Sequence, residues 1–232
     1  MVVLPVFNEE ASIERVIRDW FAVLDAQVRN FVLLAIDDGS RDRTPEILRR
    51  LSGELGPRME TTSRPNKGHG QTCLEGYRTA HERGIPFVFQ IDSDGQCDPC
   101  HFGDLWSIRN NHDVVYGSRT RHDGFRRIIA SHILRFMLRL MFQVRCVDPN
   151  VPYRLMRTKT CGRWFDAIPG DFFLANVALA FLLRKDPAIR HEAVPIHFRE
   201  RHGGEPSVPI SRFAGKALEL MQQLRKLKIS LP

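Results

Sequence analysis

Four short apolar runs in the first part of the chain alternate with segments of helical periodicity, and three of the four stop at a cluster of acidic or amide residues. "VVLPVF" (2–7) ends at Asn8-Glu9-Glu10, and "ASIERVIRDWFAVL" then shows helical spacing with Glu9, Glu10 and Glu14 near its start. "FVLLAI" (31–36) is broken by Asp37-Asp38-Gly39-Ser40. The helix "TPEILRRLSGEL" follows, with Thr44 placed as its N-cap and Pro45 at its first position. "METTS" (59–63) reads as a third strand that leads through Asn66-Lys67-Gly68 into a helix over roughly 70–83, and "PFVFQI" (86–91) reads as a fourth strand ending at Asp92-Ser93-Asp94. Strands and helices alternating at this spacing predict βαβ units and a parallel sheet. In such sheets ligands bind beyond the carboxyl ends of the strands. One acidic cluster after a strand is ordinary turn chemistry; three in succession at strand ends point to a site.

The bounds on the chain agree with a globular α/β protein. Its 232 residues suffice for a sizeable core. Hydrophobic residues at 43% and charged residues at 26% exclude a disordered or fibrous chain. A formal charge of +7 favours anionic partners without choosing among phosphates, acidic lipid and nucleic acid. Five cysteines, an odd number, do not suggest a disulfide framework, and no basic n-region or small-residue cleavage site opens the sequence. The expected compartment is cytoplasmic.

"DSDGQCDPCH" (92–101) admits two exclusive readings. From Cys97 it spells the C-x-x-C-H of covalent haem attachment. From Asp92 it spells D-x-D followed by Gln96, two carboxylates and an amide suited to a hard divalent cation. Haem attachment needs an oxidising compartment, and tetrahedral zinc needs two further ligands at a diagnostic spacing, which the sequence does not supply. The haem reading is thereby strained, and the carboxylates offer the alternative of a metal on oxygen ligands. Like charges held together are costly unless a cation lies between them, and Mg²⁺ or Mn²⁺ takes oxygen ligands while leaving positions for substrate phosphates. No Walker loop is present, and "GHGQTC" (68–73) lacks the third glycine of a dinucleotide fingerprint. A phosphorylated ligand held through a metal fits best.

"LPVFNEE", "AIDDGSRDRT", "NKGHG", "QIDSDGQCDP" and "VVYGSR", in this order and spacing, resemble blocks of the inverting GT-A glycosyltransferases of family two. The likeness is strongest to the branch holding dolichyl-phosphate mannosyltransferases and bacterial polyprenyl-phosphate glycosyltransferases. "VDPNVPYRLMR" (147–157) and "EAVPIHFRERHGGEPS" (192–207) resemble later blocks. The resemblance implies a GT-A, Rossmann-like α/β fold with a mostly parallel central sheet flanked by helices. It also implies one domain over 1–232, made of a nucleotide-sugar-binding half (1–119), an acceptor-binding half (120–208) and a C-terminal helix (209–232). By position, it places Pro5, Phe7 and Glu9 at the nucleotide, Phe7 standing where tyrosine is more usual. Asp37 recognises the base with Asp38 beside it. Asp92, Asp94 and Gln96 hold Mg²⁺ or Mn²⁺, with Ser93 between them at the donor. Arg119 meets the diphosphate and the acceptor phosphate, and Arg201 belongs to the acceptor loop. Asp94, Arg119 and Arg201 are thus the expected catalytic residues.

Two departures stand out. The acceptor loop usually continues to Gly-x-Ser-Lys, whereas "GGEPSV" inserts Pro206, keeps Ser207 and has no lysine. Asn176 stands in a helix where many members carry an acid. A polyprenyl-phosphate acceptor brings its own nucleophilic oxyanion, so no general base is required, but arginines are needed to bring two anions together. Arg119, Arg126, Arg127, Arg199 and Arg201 are the candidates. A hydroxyl acceptor would need a carboxylate base, and none is singled out.

"FRRIIASHILRFMLRLMFQV" (125–144) has an apolar face with Arg135 and Arg139 on another. Its uncharged runs fall short of the roughly 20 residues a spanning helix needs, so it reads either as lying at a membrane surface or as packed on the sheet. The expected placement is peripheral, at the cytoplasmic face of a membrane. "SRFAGKALELMQQLRKLK" (211–228) is amphipathic and compatible with packing or a homo-oligomer. The Arg-rich stretch 119–127 lacks interleaved aromatics, so no nucleic-acid partner is expected. Glu54, Glu60 and Glu75 read as solvated, and His69 as a helix-start residue. A sugar-1-phosphate nucleotidyltransferase would need a glycine-rich loop after the first strand, which "PVFNEEAS" does not provide. A non-catalytic binding module leaves the D-x-D with Gln96 unexplained.

Overall fold

The computed structural model describes residues 1–119, 151–172 and 174–199, with the backbone alone for Arg119. The 125–144 and 211–228 segments, expected to be amphipathic, lie outside these residues.

The alternation expected from the sequence is present. Strand β1 (Val2–Val6) and strand β2 (Leu33–Asp37) are buried along their whole length, as continuous apolar runs must be when a parallel sheet is covered on both faces. Between them, helix α1 (Ile13–Gln27) buries Ile13, Val16, Ile17, Trp20, Phe21 and Leu24, one stripe at three- and four-residue spacing. Helix α2 (Thr44–Leu55) carries Pro45 in its first turn, where a missing N–H costs nothing. Thr44 is its first helical residue rather than its cap; Arg43 holds that position, and the Thr44 hydroxyl instead accepts from Glu9 N at 2.9 Å. Strand β3 (Met59–Ser63), helix α3 (His69–Glu82) and strand β4 (Phe87–Gln90) follow within a residue or so of the expected limits.

Beyond β4, Asp98 caps a 3₁₀ turn (Pro99–His101) by accepting from Cys100 N, and the chain continues into helix α4 (Phe102–Ser107). Strand β5 (Val114–Arg119), strand β6 (Arg154–Arg157), helix α5 (Thr158–Asp166), helix α6 (Ala175–Lys185) and strand β7 (His191–Ile196) complete the described elements.

The strands form one seven-stranded sheet in the order β3-β2-β1-β4-β6-β5-β7. β6 runs antiparallel to β4 and to β5, while the other pairs are parallel. β1, β2, β4, β5 and β7 therefore all end at the same edge. Period-two alternation divides their side chains. Val2, Leu4, Leu33 and Ala35 join α1, α2 and α4 in one apolar layer, around Trp20, Phe89 and Phe102. Val3, Leu34, Ile36 and Val88 join α3, α5 and α6 in the other, around Tyr77, Phe165 and Leu182. A β-carbon on Gly76 would lie 2.4 Å from Val3 Cγ1, so glycine is what lets α3 sit directly on β1.

The first two crossovers run outward from β1 with their helices on one face. The third returns past β1 to β4 with α3 on the other face, as right-handed connections demand. The strand order thus reverses between β1 and β4, and at such a switch point the crevice beyond the carboxyl ends is where α/β sheets bind ligands. Among the described residues no helix is long and apolar enough to cross a membrane.

Candidate active site

The loops after β1, β2 and β4 meet at this crevice. Asn8, which takes a left-handed conformation (φ 53°), turns the chain after β1 and binds the loop after β2 in two places. Asn8 N donates to Ser40 Oγ (2.8 Å), and Arg41 N donates to Asn8 Oδ1 (2.8 Å). A short polar side chain tolerates this conformation better than most. Pro5 lies within β1, paired with Ile36. Phe7, 39% exposed at the strand end, presents an aromatic surface to solvent. Glu9 is buried, its Oε2 accepting from Ser12 Oγ (2.7 Å). The same hydroxyl lies 3.3 Å from the carbonyl of the buried Ser93, joining the first loop to the third across the switch point.

Asp37 and Asp38 divide their work. Asp37 is 1% exposed and accepts from Ser40 N (3.0 Å) and Ser63 Oγ (2.6 Å). Asp38 is committed to the loop before α3: Arg64 Nη1 (2.6 Å) and Lys67 N (2.8 Å) donate to Oδ1, and Gly68 N (2.9 Å) donates to Oδ2. Gly39 between this loop and its neighbour has φ 78°, and a β-carbon there would meet Asn66 N at 3.0 Å. Asp38 thus builds the "NKGHG" loop, and sequence reasoning had no local signal for its partner Arg64.

Asp92, Asp94, Gln96 and Asp98 are partly exposed while the residues between them are buried. Asp94 Oδ1 accepts from Gln96 N (3.0 Å) across the turn at Gly95, whose φ of 78° suits glycine. Asp92 Oδ1 accepts from Gln90 Nε2 (3.2 Å) and lies 3.6 Å from His69 Nε2. Cys73 and the carboxylates of Asp92 and Asp38 raise the half-exposed His69 imidazole above its ordinary pKa. His69 does open α3, and it also faces the acidic loop.

The donor set is two carboxylates and an amide, all hard oxygen ligands, which suits Mg²⁺ or Mn²⁺. Among the described residues no three His, Cys, Asp or Glu side chains gather as a metal cage. Such a set leaves most of an octahedron for a substrate's phosphate oxygens. Of the two cysteines in this loop, Cys97 is packed in the apolar core and Cys100 is exposed.

Arg119 ends β5 at the same edge, opposite Ile196 of β7. Arg199 meets Asp98 with two parallel bonds (Nε–Oδ2 and Nη2–Oδ1, both 2.8 Å) and reaches Asp19 (3.3 Å). Its guanidinium is thus engaged within the protein, where acceptor contact was expected. Arg126, Arg201 and Ser207 lie outside the described residues. The glutamates expected to be solvated are surface ion pairs: Glu54 with Arg18 and Arg50, Glu60 with Arg83, and Glu75 with Arg64.

This fold is that of a GT-A glycosyltransferase domain. Residues 1–173 match the model of Glycosyl transferase family 2, and the chain belongs to that family. It is 25% identical over 224 residues to an undecaprenyl-phosphate 4-deoxy-4-formamido-L-arabinose transferase of Edwardsiella ictaluri, covering 95% of this chain and 66% of that protein. It is 31% identical over 167 residues to the uncharacterized glycosyltransferase YkcC of Bacillus subtilis, covering 69% of this chain and 50% of that protein. The chain therefore spans between half and two thirds of the length of these relatives. In three dimensions it resembles glucosyl-3-phosphoglycerate synthase from Mycobacterium tuberculosis in complex with Mn²⁺, UDP and phosphoglyceric acid. That match has a TM-score of 0.67 at 19% identity, covering 100% of this chain and 78% of that one.

Proposed function

We propose that this chain transfers a sugar, with inversion, from a nucleoside-diphosphate sugar to a polyprenyl phosphate at a membrane surface. The observation that carries the reading is the placement of Glu9 and the Asp92–Asp94 pair on either side of the β1/β4 switch point, joined through Ser12. Relatives named for transfer to undecaprenyl phosphate favour the lipid acceptor.

In this reading the base lies against Phe7 with Asp37 beneath it, and UDP and GDP both offer an N–H that a carboxylate accepts. Asp92, Asp94 and Gln96 would hold a divalent cation, which when bound supplies positive charge to the leaving β-phosphate. Arg119, at the end of β5, would add positive charge. An acceptor phosphate oxygen attacks the anomeric carbon as the bond from that carbon to the β-phosphate oxygen breaks, and the nucleoside diphosphate leaves. The nucleophile is already an anion, so no side chain has to take a proton. Residues 120–208, with Arg126, Arg201 and Ser207, would supply the acceptor half.

Calorimetric titration of UDP and GDP, each with Mn²⁺ and with EDTA, tests the donor side. Metal-dependent binding of one nucleotide is expected, followed by transfer of its sugar to undecaprenyl phosphate in detergent. Binding of neither nucleotide to folded protein overturns the reading. Transfer only to soluble hydroxyl acceptors overturns the lipid part of it.

A further inference from the structure

Gln90 is a polar residue in an otherwise apolar strand, 1% exposed, and an uncompensated amide there would be costly. Its Oε1 accepts from the hydroxyl of Tyr77 in α3, and its Nε2 donates to Asp92 Oδ1 at 3.2 Å. Tyr77 is itself fully buried, and its oxygen lies 3.4 Å from the side-chain amide of Asn176 in α6, at Oδ1. Burial holds the phenol protonated by raising its pKa well above the ordinary value. A phenol has one proton, and that proton is spent on Gln90. The contact with Asn176 is satisfied when the asparagine amide is turned so that its N–H donates to the phenol oxygen, an orientation that only the hydrogen-bond network fixes.

We propose that Asn176, Tyr77 and Gln90 form a one-way hydrogen-bond chain, running from α6 through α3 to β4, that orients the Asp92 carboxylate for a divalent cation. This rests on the nucleotide-and-metal reading above and adds positioning residues to it. The chain has a direction. With the Asn176 amide turned to donate to the phenol oxygen, Tyr77 donates to Gln90 and Gln90 to Oδ1 of Asp92, so the carboxylate is held at that one oxygen. A carboxylate at 176 accepts only, and it would compete with Gln90 for the Tyr77 proton. Asparagine at this position is what the direction of the chain requires.

The test is the Mn²⁺ concentration giving half-maximal nucleotide binding, read by calorimetry and by the electron paramagnetic resonance of free Mn²⁺, with wild type, Gln90→Leu, Tyr77→Phe and the double variant. Residues orienting a metal ligand typically change metal affinity by about 10–100-fold. Gln90→Leu is expected to raise the half-saturating Mn²⁺ about tenfold, Tyr77→Phe less, and the double variant no further than Gln90→Leu alone. Nucleotide affinity at saturating Mn²⁺ should return to the wild-type value. Tyr77→Phe removes a single atom and keeps the ring's packing, so it reads the chain even where Gln90→Leu does not fold. Wild-type Mn²⁺ dependence in a folded Tyr77→Phe, or additive effects in the double variant, overturns the chain. Absence of Mn²⁺-dependent binding in wild type instead overturns the reading on which it rests.

Discussion

Arg199 and Asp98 form a two-pronged ion pair, Nε to Oδ2 and Nη2 to Oδ1 at 2.8 Å each, between the segment after β7 and the loop that carries the D-x-D pair. Two further contacts run beside it: a bridge between Cys97 and Phe198, and a bond from Arg199 N to the Gln96 carbonyl at 2.9 Å. Residues remote in sequence are thus tied to the acidic loop, and in sequence the chain then leads directly to Arg201. The fork geometry is what lysine lacks.

Arg199→Lys and Arg199→Ala are expected to raise the KM for the phosphate acceptor about five- to tenfold while nucleotide affinity changes less than about twofold, the order of effect of losing one charge-assisted contact. Both partners are partly exposed, so global stability should fall by no more than about 1 kcal/mol. Steady-state kinetics with each substrate varied in turn, beside a thermal melt, separates these effects. A larger rise in the nucleotide KM than in the acceptor KM contradicts the assignment.

Asp94→Asn keeps the shape of the turn, since an amide oxygen still accepts from Gln96 N, but it removes one of two charges facing the crevice. Turnover is expected to drop by at least about 100-fold, the usual scale for lost electrostatic stabilisation of a leaving group. Melting temperature should stay near wild type or rise slightly as like-charge repulsion is relieved. Transfer assays over a range of Mn²⁺ check the first point, and calorimetry the second.

Asp38→Asn leaves three donors competing for one neutral oxygen and an amide. Lys67 N, Gly68 N and the Arg64 guanidinium all lose a charged partner in a buried place. Destabilisation of about 2–3 kcal/mol is expected for a buried charge-assisted network. Nucleotide binding should weaken with it, because the loop before α3 loses its anchor. Urea titration gives the stability, and wild-type stability in the variant would show that the loop stands without Asp38.

Acid sensitivity follows from two buried carboxylates away from the site. Burial works against charge at Asp113 and Asp186, yet bonds from Arg190 and Thr160 to the first, and from Arg163, Trp164 and Ala188 N to the second, hold both below the ordinary aspartate value. A carboxyl depressed in the folded state contributes stability above its unfolded pKa of about 3.9, and that stability is lost as pH falls through the folded value. Melting temperature should therefore be insensitive to these groups above about pH 5 and fall below about pH 4. Asp113→Asn, expected to cost about 2 kcal/mol at pH 7, should converge on wild type in acid. A constant difference between the two proteins down to pH 2.5 would refute the linkage.

The sequence by itself determined the strand–helix alternation, the strand ends at which polar residues gather, and the D-x-D with its oxygen-donor chemistry. These are local properties: periodicity of two or 3.6, the punctuation of Gly, Pro and Asp, and charge spacing within one turn. Tertiary structure alone decided which partners those residues meet. Asp38 turns to Arg64 and the loop before α3, Arg199 turns to Asp98 where acceptor contact was expected, and Thr44 serves Glu9 instead of capping its own helix. Sequence spacing says nothing about contacts between elements separated by a whole strand order, and the antiparallel β6 between β4 and β5 has no signature in its own residues. The direction of the Asn176–Tyr77–Gln90 chain belongs to the same class, since a single phenolic proton acquires meaning only once three elements are packed around it.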